Sequence, residues 1–310
     1  MRIIFFGTPE FAVPSLGKLL EKGYEVVSVV TQPDRVKGRG HKLAQPPVKE
    51  LALSKRIRVM QPANIKSPDF LEALSGLRPD AIAVVAYGKI LPSSLLRLSP
   101  LGSINVHASL LPKYRGAAPI QRALINGEMK TGITTMLMDE GLDTGDILLQ
   151  EETEIREEDN AYTLSIRLSG IGASLLPKTI DGLSDHSIQP LPQRGEPSYA
   201  PPLRKEEGRI QWSSPARSIA DLIRGTYPWP GAYCYLKGER ITILRAKALE
   251  QGGATVPGRI EKVGEDEFQI GTVSGTLSVL EVKPEGKKSM SAADFARGRH
   301  LREGISFGAS

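Results

Sequence analysis

The sequence predicts an α/β fold: an open, mostly parallel Rossmann-like sheet, followed at the carboxyl terminus by a smaller all-β, OB-like barrel. Apolar runs alternate with helix-forming stretches over the first half of the chain. After about residue 208 the pattern changes to short alternating strands. A length of 310 residues also favours two domains over one. We therefore expect a Rossmann-like domain over 1–189, a linker over 190–208 and an OB-like domain over 209–310.

The predicted strands of the first domain are short and rich in β-branched residues, as expected for strands buried on both faces. They are Arg2–Phe6, Val26–Val30, Val59–Met60, Ala81–Ala86, Ser103–Val106 and Ile133–Met138. Helices are predicted between them and after the last one. The first begins at Thr8-Pro9, because a hydroxyl followed by a proline favours a helix start. The others are Val48–Lys55, Ala117–Ile125 and Asn160–Asp181.

Closely spaced prolines mark the predicted linker. They are Pro190, Pro192, Pro197, Pro201 and Pro202, and proline at this density is typical of a semi-rigid linker. A helix over Pro215–Arg224 opens the second domain. Five short strands follow it, as in a small barrel: Ala232–Leu236, Arg240–Leu244, Gly258–Val263, Glu267–Gly271 and Thr276–Val282.

Composition restricts the class of protein. One cysteine, Cys234, cannot form an internal disulfide, which favours a reducing, cytoplasmic location. No stretch approaches the roughly 20 apolar residues of a membrane span. The four histidines show no metal-ligand spacing, and the first turn lacks the G-x-G-x-x-G pattern of dinucleotide sites. Basic residues concentrate in 34–56 (seven against two acidic) and in 209–310 (fifteen against eleven), which indicates a polyanionic partner.

Two polar side chains end one predicted strand. Asn105 and His107 are two residues apart, so both leave the same face of that strand. Asp143 follows the next predicted strand, and we expect all three at the carboxyl edge of the sheet. A carboxamide that donates to an oxyanion, an imidazole that moves a proton and a carboxylate suit acyl transfer. The residues leave open whether His107 or Asp143 is the general base.

Several motifs, in order along the chain, match one family. The segments Asn105–Ile120 and Gly141–Asp146 carry a pattern shared by enzymes that use 10-formyltetrahydrofolate. Narrower signals are Phe6–Phe11, Thr31–Arg35, Val85–Gly88, Tyr227–Gly231 and Pro284–Ala292. On these motifs the chain resembles the methionyl-tRNA formyltransferase family over nearly its whole length.

The resemblance implies transfer of a formyl group from 10-formyltetrahydrofolate to the α-amine of methionyl-initiator-tRNA. Implied catalytic residues are Asn105, His107 and Asp143. Implied folate contacts are Ser109, Leu110, Leu111 and Pro112. A glycine-rich basic loop is implied to meet the tRNA through Arg35, Lys37, Arg39 and Lys42. We expect a cytoplasmic monomer that needs no metal.

Three other functions fit the sequence less well. A formyl-folate enzyme acting on a sugar nucleotide or purine precursor is disfavoured by the basic loop and the carboxyl-terminal barrel. A hydrolase that passes the formyl group to water is disfavoured because no small regulatory domain is visible in the sequence. A non-catalytic RNA-binding protein is disfavoured by the intact trio of Asn105, His107 and Asp143.

Overall fold

The structure is a computed structural model that describes residues 1–37, 42–249 and 255–308, without the side chains of Lys37 and Lys42. The chain forms two compact units. The first consists of Met1–Pro119, Lys130–Glu154 and Ser165–Ala200. The second consists of Ile120–Met129, Ile155–Leu164 and Pro201–Ser310. In the described part of the chain, no helix combines the length and apolarity needed to cross a membrane.

A seven-stranded sheet forms the centre of the first unit. Its strands are β1 (Arg2–Gly7), β2 (Glu25–Val30), β5 (Val59–Met60), β6 (Ala81–Val85), β7 (Ser103–His107), β8 (Lys130–Leu137) and β9 (Ile147–Glu154). They lie in the order β5-β2-β1-β6-β7-β8-β9, and the first five run parallel. Every residue of β6 is buried, which explains its continuous apolar sequence. The predicted Rossmann-like α/β class is confirmed.

The last two strands of this sheet differ from the predicted arrangement. Strand β8 runs antiparallel to β7, with Leu137 opposite Ile104, and β9 was not predicted. The end of β8 therefore lies at the amino end of β7, and the backbone amide of Met138 donates to the carbonyl of Ser103 (2.8 Å). The loop after β8 therefore begins at the amino edge of the parallel strands and returns to His107 only at Asp143.

Helices cover the parallel strands. They are α1 (Val13–Glu21), α2 (Pro47–Ser54), α3 (Pro68–Ser75), α4 (Ser93–Leu96) and α6 (Ala161–Ser184), of which α3 and α4 were not predicted. Helix α1 begins at Val13 after a short 3-10 turn over Glu10–Ala12, so the predicted start at Thr8-Pro9 is wrong. The Thr8 hydroxyl is used elsewhere: it accepts from the amide of Gln32 (3.2 Å) and donates to the carbonyl of Tyr87 (3.4 Å).

The second unit contains an antiparallel sheet. Its strands are β10 (Ala232–Leu236), β11 (Glu239–Leu249), β12 (Ile260–Val263), β13 (Phe268–Gly271), β14 (Thr276–Pro284) and β15 (Met290–Ser291). The order is β10-β11-β14-β13-β12, with β15 paired to β14. Single bridges from Gly308 to Tyr235 and from Ser306 to Arg259 join its two ends. The helices of this unit are α5 (Pro119–Ile125), whose first residue belongs to the other unit, α7 (Ala216–Thr226) and α8 (Ala292–Gly298). The predicted all-β character of this region is confirmed.

Candidate active site

His107 is the best-defined side chain of the candidate site. It ends β7, is only 6% exposed, and its Nε2 lies 2.9 Å from the carbonyl oxygen of Tyr114. A carbonyl can only accept, so Nε2 must carry the hydrogen in this contact. The other ring nitrogen, Nδ1, faces the Asp143 carboxylate. Nδ1 is therefore the ring nitrogen that is not committed to the backbone.

Asp143 is held in place from two sides. Its Oδ2 accepts the backbone amide of Gly116 (2.8 Å) and lies 3.6 Å from Nδ1 of His107. The second distance is longer than a hydrogen bond. Asp143 has a φ of 53°, a left-handed conformation that aspartate tolerates better than most residues. The structure thus brings Asp143 and His107 together, as the sequence predicted.

Asn105 supplies an uncommitted carboxamide. It lies on the same face of β7 as His107 and is half-buried. Within residues 1–37, 42–249 and 255–308 its side chain makes no hydrogen bond. Val106, between them, points to the opposite face, where Gly172 of α6 leaves room for its side chain. The carboxamide of Asn105 is therefore available to donate to a bound ligand.

The segment predicted to bind folate follows His107 directly and is held by two side chains that sequence reasoning missed. The Thr134 hydroxyl donates to the carbonyl of Ser109 (2.7 Å) and accepts the amide of Leu111 (3.1 Å). Gln150 donates to the carbonyl of Leu111 and to the Thr134 hydroxyl, both at 2.9 Å. Ser109 and Leu111 are buried, whereas Leu110 and Pro112 are partly exposed. These bonds fix the shape of Ser109–Pro112.

Residues of the predicted linker also enter the site. The side-chain amide of Gln193 contacts the loop of Asp143, and Ser198 Oγ accepts the amide of Tyr114 (2.9 Å). The backbone of Ser198–Ala200 exchanges hydrogen bonds with Arg115 on both sides of Tyr199. Because these partners are at least 50 residues apart in sequence, no local pattern could have identified them.

The predicted RNA-binding loop forms a short hairpin of β3 (Arg35–Lys37) and β4 (Lys42–Ala44), paired in register. Arg35 is exposed, and Arg39 lies outside the described residues. At the base of the hairpin, the Asp34 carboxylate accepts Lys49 Nζ (2.7 Å) and the Gln61 amide (2.7 Å). The hydrogen bond from Lys49 lowers the pKa of Asp34 most, and the hydrogen bond from Gln61 lowers it further.

Three turns meet at the carboxyl edge of the parallel strands, after β1 (Thr8), β2 (Gln32) and β6 (Tyr87). Besides Thr8, the side chain of Gln32 donates to the carbonyl of Tyr87 (3.1 Å). The Tyr87 ring packs edge-on against Phe6, with 5.1 Å between centroids, and burial raises its pKa to about 12. These contacts bring the loops after β1, β2 and β6 together at this edge.

A groove of about 510 Å³ opens beside the first half of the Asp143 loop. Its lining residues are Leu96, Arg97, Gly102 and 137–141. The groove lies at the amino end of β7, so it is separate from the ring of His107 at the other end of the same strand. Among the described residues, no three histidine, cysteine or acidic side chains are grouped so that they could hold a metal ion.

The Rossmann-like fold and the grouping of Asn105, His107 and Asp143 are typical of one class of protein, the acyl-transferring enzymes with a Rossmann-like catalytic domain. Residues 1–180 match the family described as formyl transferase, and residues 202–300 match the formyl transferase C-terminal domain. The methionyl-tRNA formyltransferase of Thermodesulfovibrio yellowstonii is 54% identical over 303 residues, which cover 98% of this chain and 97% of that protein. The chain belongs to the formyl transferase family, among the methionyl-tRNA formyltransferases.

Solved structures share the fold at low identity. An N-formyltransferase from Helicobacter canadensis, in complex with folinic acid and dTDP-3-aminofucose, superposes with a TM-score of 0.69 at 20% identity. The alignment covers 89% of this chain and 98% of that one. HypX from Aquifex aeolicus, in complex with tetrahydrofolic acid, gives a TM-score of 0.66 at 16% identity. This chain spans about half the length of HypX (51%).

Proposed function

We propose that the chain transfers the formyl group of 10-formyltetrahydrofolate to the α-amine of methionine esterified to initiator tRNA. The observation that carries the proposal is the geometry around His107, with Nε2 fixed by Tyr114 and Nδ1 facing Asp143. The free carboxamide of Asn105 on the same face supports it. Full-length similarity to methionyl-tRNA formyltransferases, at 54% identity, supports the choice of both substrates.

The reaction needs an oxyanion donor and a proton carrier. When the amine attacks the formyl carbon, the formyl oxygen becomes an oxyanion, and the Asn105 amide donates to it without changing its own charge. The attacking nitrogen loses a proton and the N10 leaving group gains one. We assign this exchange to Nδ1 of His107, because Nε2 is committed to Tyr114. The Asp143 carboxylate then stabilises the imidazolium or relays its proton across the 3.6 Å gap.

Folate binding is proposed for Ser109–Pro112. The segment leads directly away from His107, so a donor bound along it presents its formyl group to the site. Thr134 and Gln150 hold the segment's backbone in one shape. A pre-shaped segment favours binding, because less conformational entropy is lost when the ligand arrives.

Contact with tRNA is proposed for the basic hairpin, through Arg35, Lys37, Arg39 and Lys42. Val36 and Leu43, paired in register, are 57% and 66% exposed, so the hairpin presents apolar side chains next to the exposed Arg35. Such a surface suits an unpaired nucleic-acid end, whose phosphates attract cations and whose bases offer apolar faces. Cation–phosphate contacts predict binding that weakens steeply with salt.

Three further expectations remain proposals. A cytoplasmic location is proposed, because the proposed substrate is used in translation. A monomer is expected, and light scattering of the purified chain would test it. Residues 190–208 are proposed to link two domains whose bounds are 1–189 and 209–310, with the amino-terminal part of that linker also serving the catalytic unit.

The deciding experiment incubates the purified chain with 10-formyltetrahydrofolate and charged initiator tRNA. We expect formyl-methionyl-tRNA as the product. Parallel reactions contain uncharged tRNA, free methionine, a dTDP-amino sugar or no acceptor. Turnover with the amino sugar or with water, but none with charged tRNA, would contradict the proposal.

A further inference from the structure

Gln193 connects the two loops that hold His107 and Asp143. Its amide nitrogen donates to the backbone carbonyls of Asp143 and Gly145, both at 2.8 Å. Its amide oxygen accepts two hydrogen bonds from the guanidinium of Arg115, at 3.1 and 2.6 Å. All four contacts lie within the first unit. Arg115 itself lies between Tyr114, which fixes His107, and Gly116, which fixes the Asp143 carboxylate.

The orientation of this amide follows from its partners. Carbonyl oxygens can only accept and a guanidinium can only donate, so the nitrogen must face Asp143 and Gly145 and the oxygen must face Arg115. A single side chain thereby satisfies both loops. The support acts on a left-handed backbone (φ 53°), which aspartate tolerates but which few residues other than glycine adopt.

We infer that Gln193 is a positioning residue that sets the Asp143 carboxylate against Nδ1 of His107. The inference rests on the proposed function, since it assigns a role within that site. Gln193 touches neither reacting group itself. It fixes the carbonyl of Asp143, while Gly116 fixes the carboxylate of the same residue. With both ends held, the carboxylate keeps its 3.6 Å separation from the imidazole.

Two isosteric substitutions separate positioning from simple packing. Gln193→Glu keeps the shape and the contact with Arg115, but it presents a carboxylate oxygen to two carbonyl oxygens. Gln193→Met keeps the approximate shape and removes all four hydrogen bonds without adding charge. If Gln193 acts only by packing or by holding Arg115, the Glu variant should be the more active of the two. If it positions the Asp143 loop, the Glu variant should be the less active.

The experiment measures kcat, both KM values, melting temperature and the stoichiometry of tetrahydrofolate binding for the full chain. We expect kcat to fall roughly 10-fold in Gln193→Met and roughly 100-fold in Gln193→Glu, since displacement of a catalytic group by about 1 Å costs that much. Both KM values should stay within about threefold, and the folate stoichiometry should show that the protein is fully folded. The matched control is Gln189→Glu, the same change at an exposed glutamine four residues earlier, with kcat unchanged.

A Glu variant that equals or exceeds the Met variant in kcat would overturn the inference, as would kcat values within twofold of wild type in both. If the Glu variant does not fold, Gln193→Asn replaces it in the test. The shorter Asn side chain keeps a donor but cannot reach both loops. The kcat of the Asn variant must then lie between those of wild type and the Met variant. The ratios are taken on whichever formyl acceptor the wild-type chain uses, including water. If charged tRNA is not the acceptor, the assay of the wild-type enzyme alone shows this, independently of the variants.

Discussion

Replacing Gly116 by alanine tests whether the Asp143 carboxylate depends on the backbone that binds it. Gly116 has a φ of 123°, a conformation that residues with a side chain rarely adopt. A Cβ at this position would lie 2.8 Å from the carbonyl oxygen of Ala200. That oxygen cannot move freely, because it accepts the amide of Ala118 (3.0 Å) while the Ala200 amide donates to Arg115 (2.7 Å).

The size of the effect follows from these two costs. The backbone conformation alone costs about 1–3 kcal/mol for alanine. Relief of the contact requires a further shift of roughly 0.6 Å, to reach the 3.4 Å of an ordinary contact. Because the amide of Gly116 is bonded to Asp143, the carboxylate shifts with it. We expect kcat to fall about 10- to 100-fold and the melting temperature to drop by several degrees, at about 2–4 °C per kcal/mol.

The assay is formyl transfer to charged tRNA, combined with thermal unfolding. Gly17→Ala is the matched control: Gly17 lies within α1 with open space around it, so alanine should stabilise the protein by about 0.5–1 kcal/mol and leave kcat unchanged. A Gly116→Ala enzyme with wild-type kcat would refute the reasoning, whatever its stability, because it would show that the carboxylate does not depend on this backbone.

Three further changes test other parts of the molecule. Asn105→Ala should lower kcat by about 10²–10³ with little change in melting temperature, since its amide is uncommitted; a stability loss without a kcat loss would indicate a structural role. Arg39→Ala should raise the KM for tRNA and flatten its salt dependence while tetrahydrofolate affinity stays constant; Lys66→Ala, at an exposed site, is the charge control. The hydrogen bond from Arg122 (2.6 Å) lowers the pKa of Glu207, so its stabilisation is present above the usual value of 4.5 and is lost as pH falls below it. Arg122→Ala should therefore destabilise the protein by about 1 kcal/mol at pH 7. In acid the loss should be smaller, because only the bonds from Arg122 to the carbonyls of Pro201 and Pro202 then remain to be lost, as measured by denaturant unfolding.

Local patterns predicted the parallel core and the face of β7 that carries the site. Strands β1, β2 and β6 are mostly apolar because both of their faces are covered, and burial of this kind is visible in composition. The spacing of Asn105 and His107 placed both side chains on one face, because side-chain direction alternates along any strand. These inferences needed only the residues within each segment.

Other features depended on partners far away in the sequence. Thr8-Pro9 looks like a helix start, yet the Thr8 hydroxyl is bound by groups 24 and 79 residues away. Strand β8 runs antiparallel to β7. Its apolar pattern would be the same if it ran parallel, so the sequence of the strand does not show its direction. Asp143 therefore reached His107 by a different path from the one predicted.

Local sequence accounts for the chemistry: which side chains are present, which share a strand face, and which family motifs surround them. How those side chains are held depends on contacts that form only in the folded chain. Gln193 and Ser198 belong to a proline-rich stretch that composition marks as a linker, and nothing local distinguishes their polar groups from solvated ones. Their hydrogen bonds to the loops of Asp143 and Tyr114 span 50 and 84 residues, and only folding the chain brings such groups together.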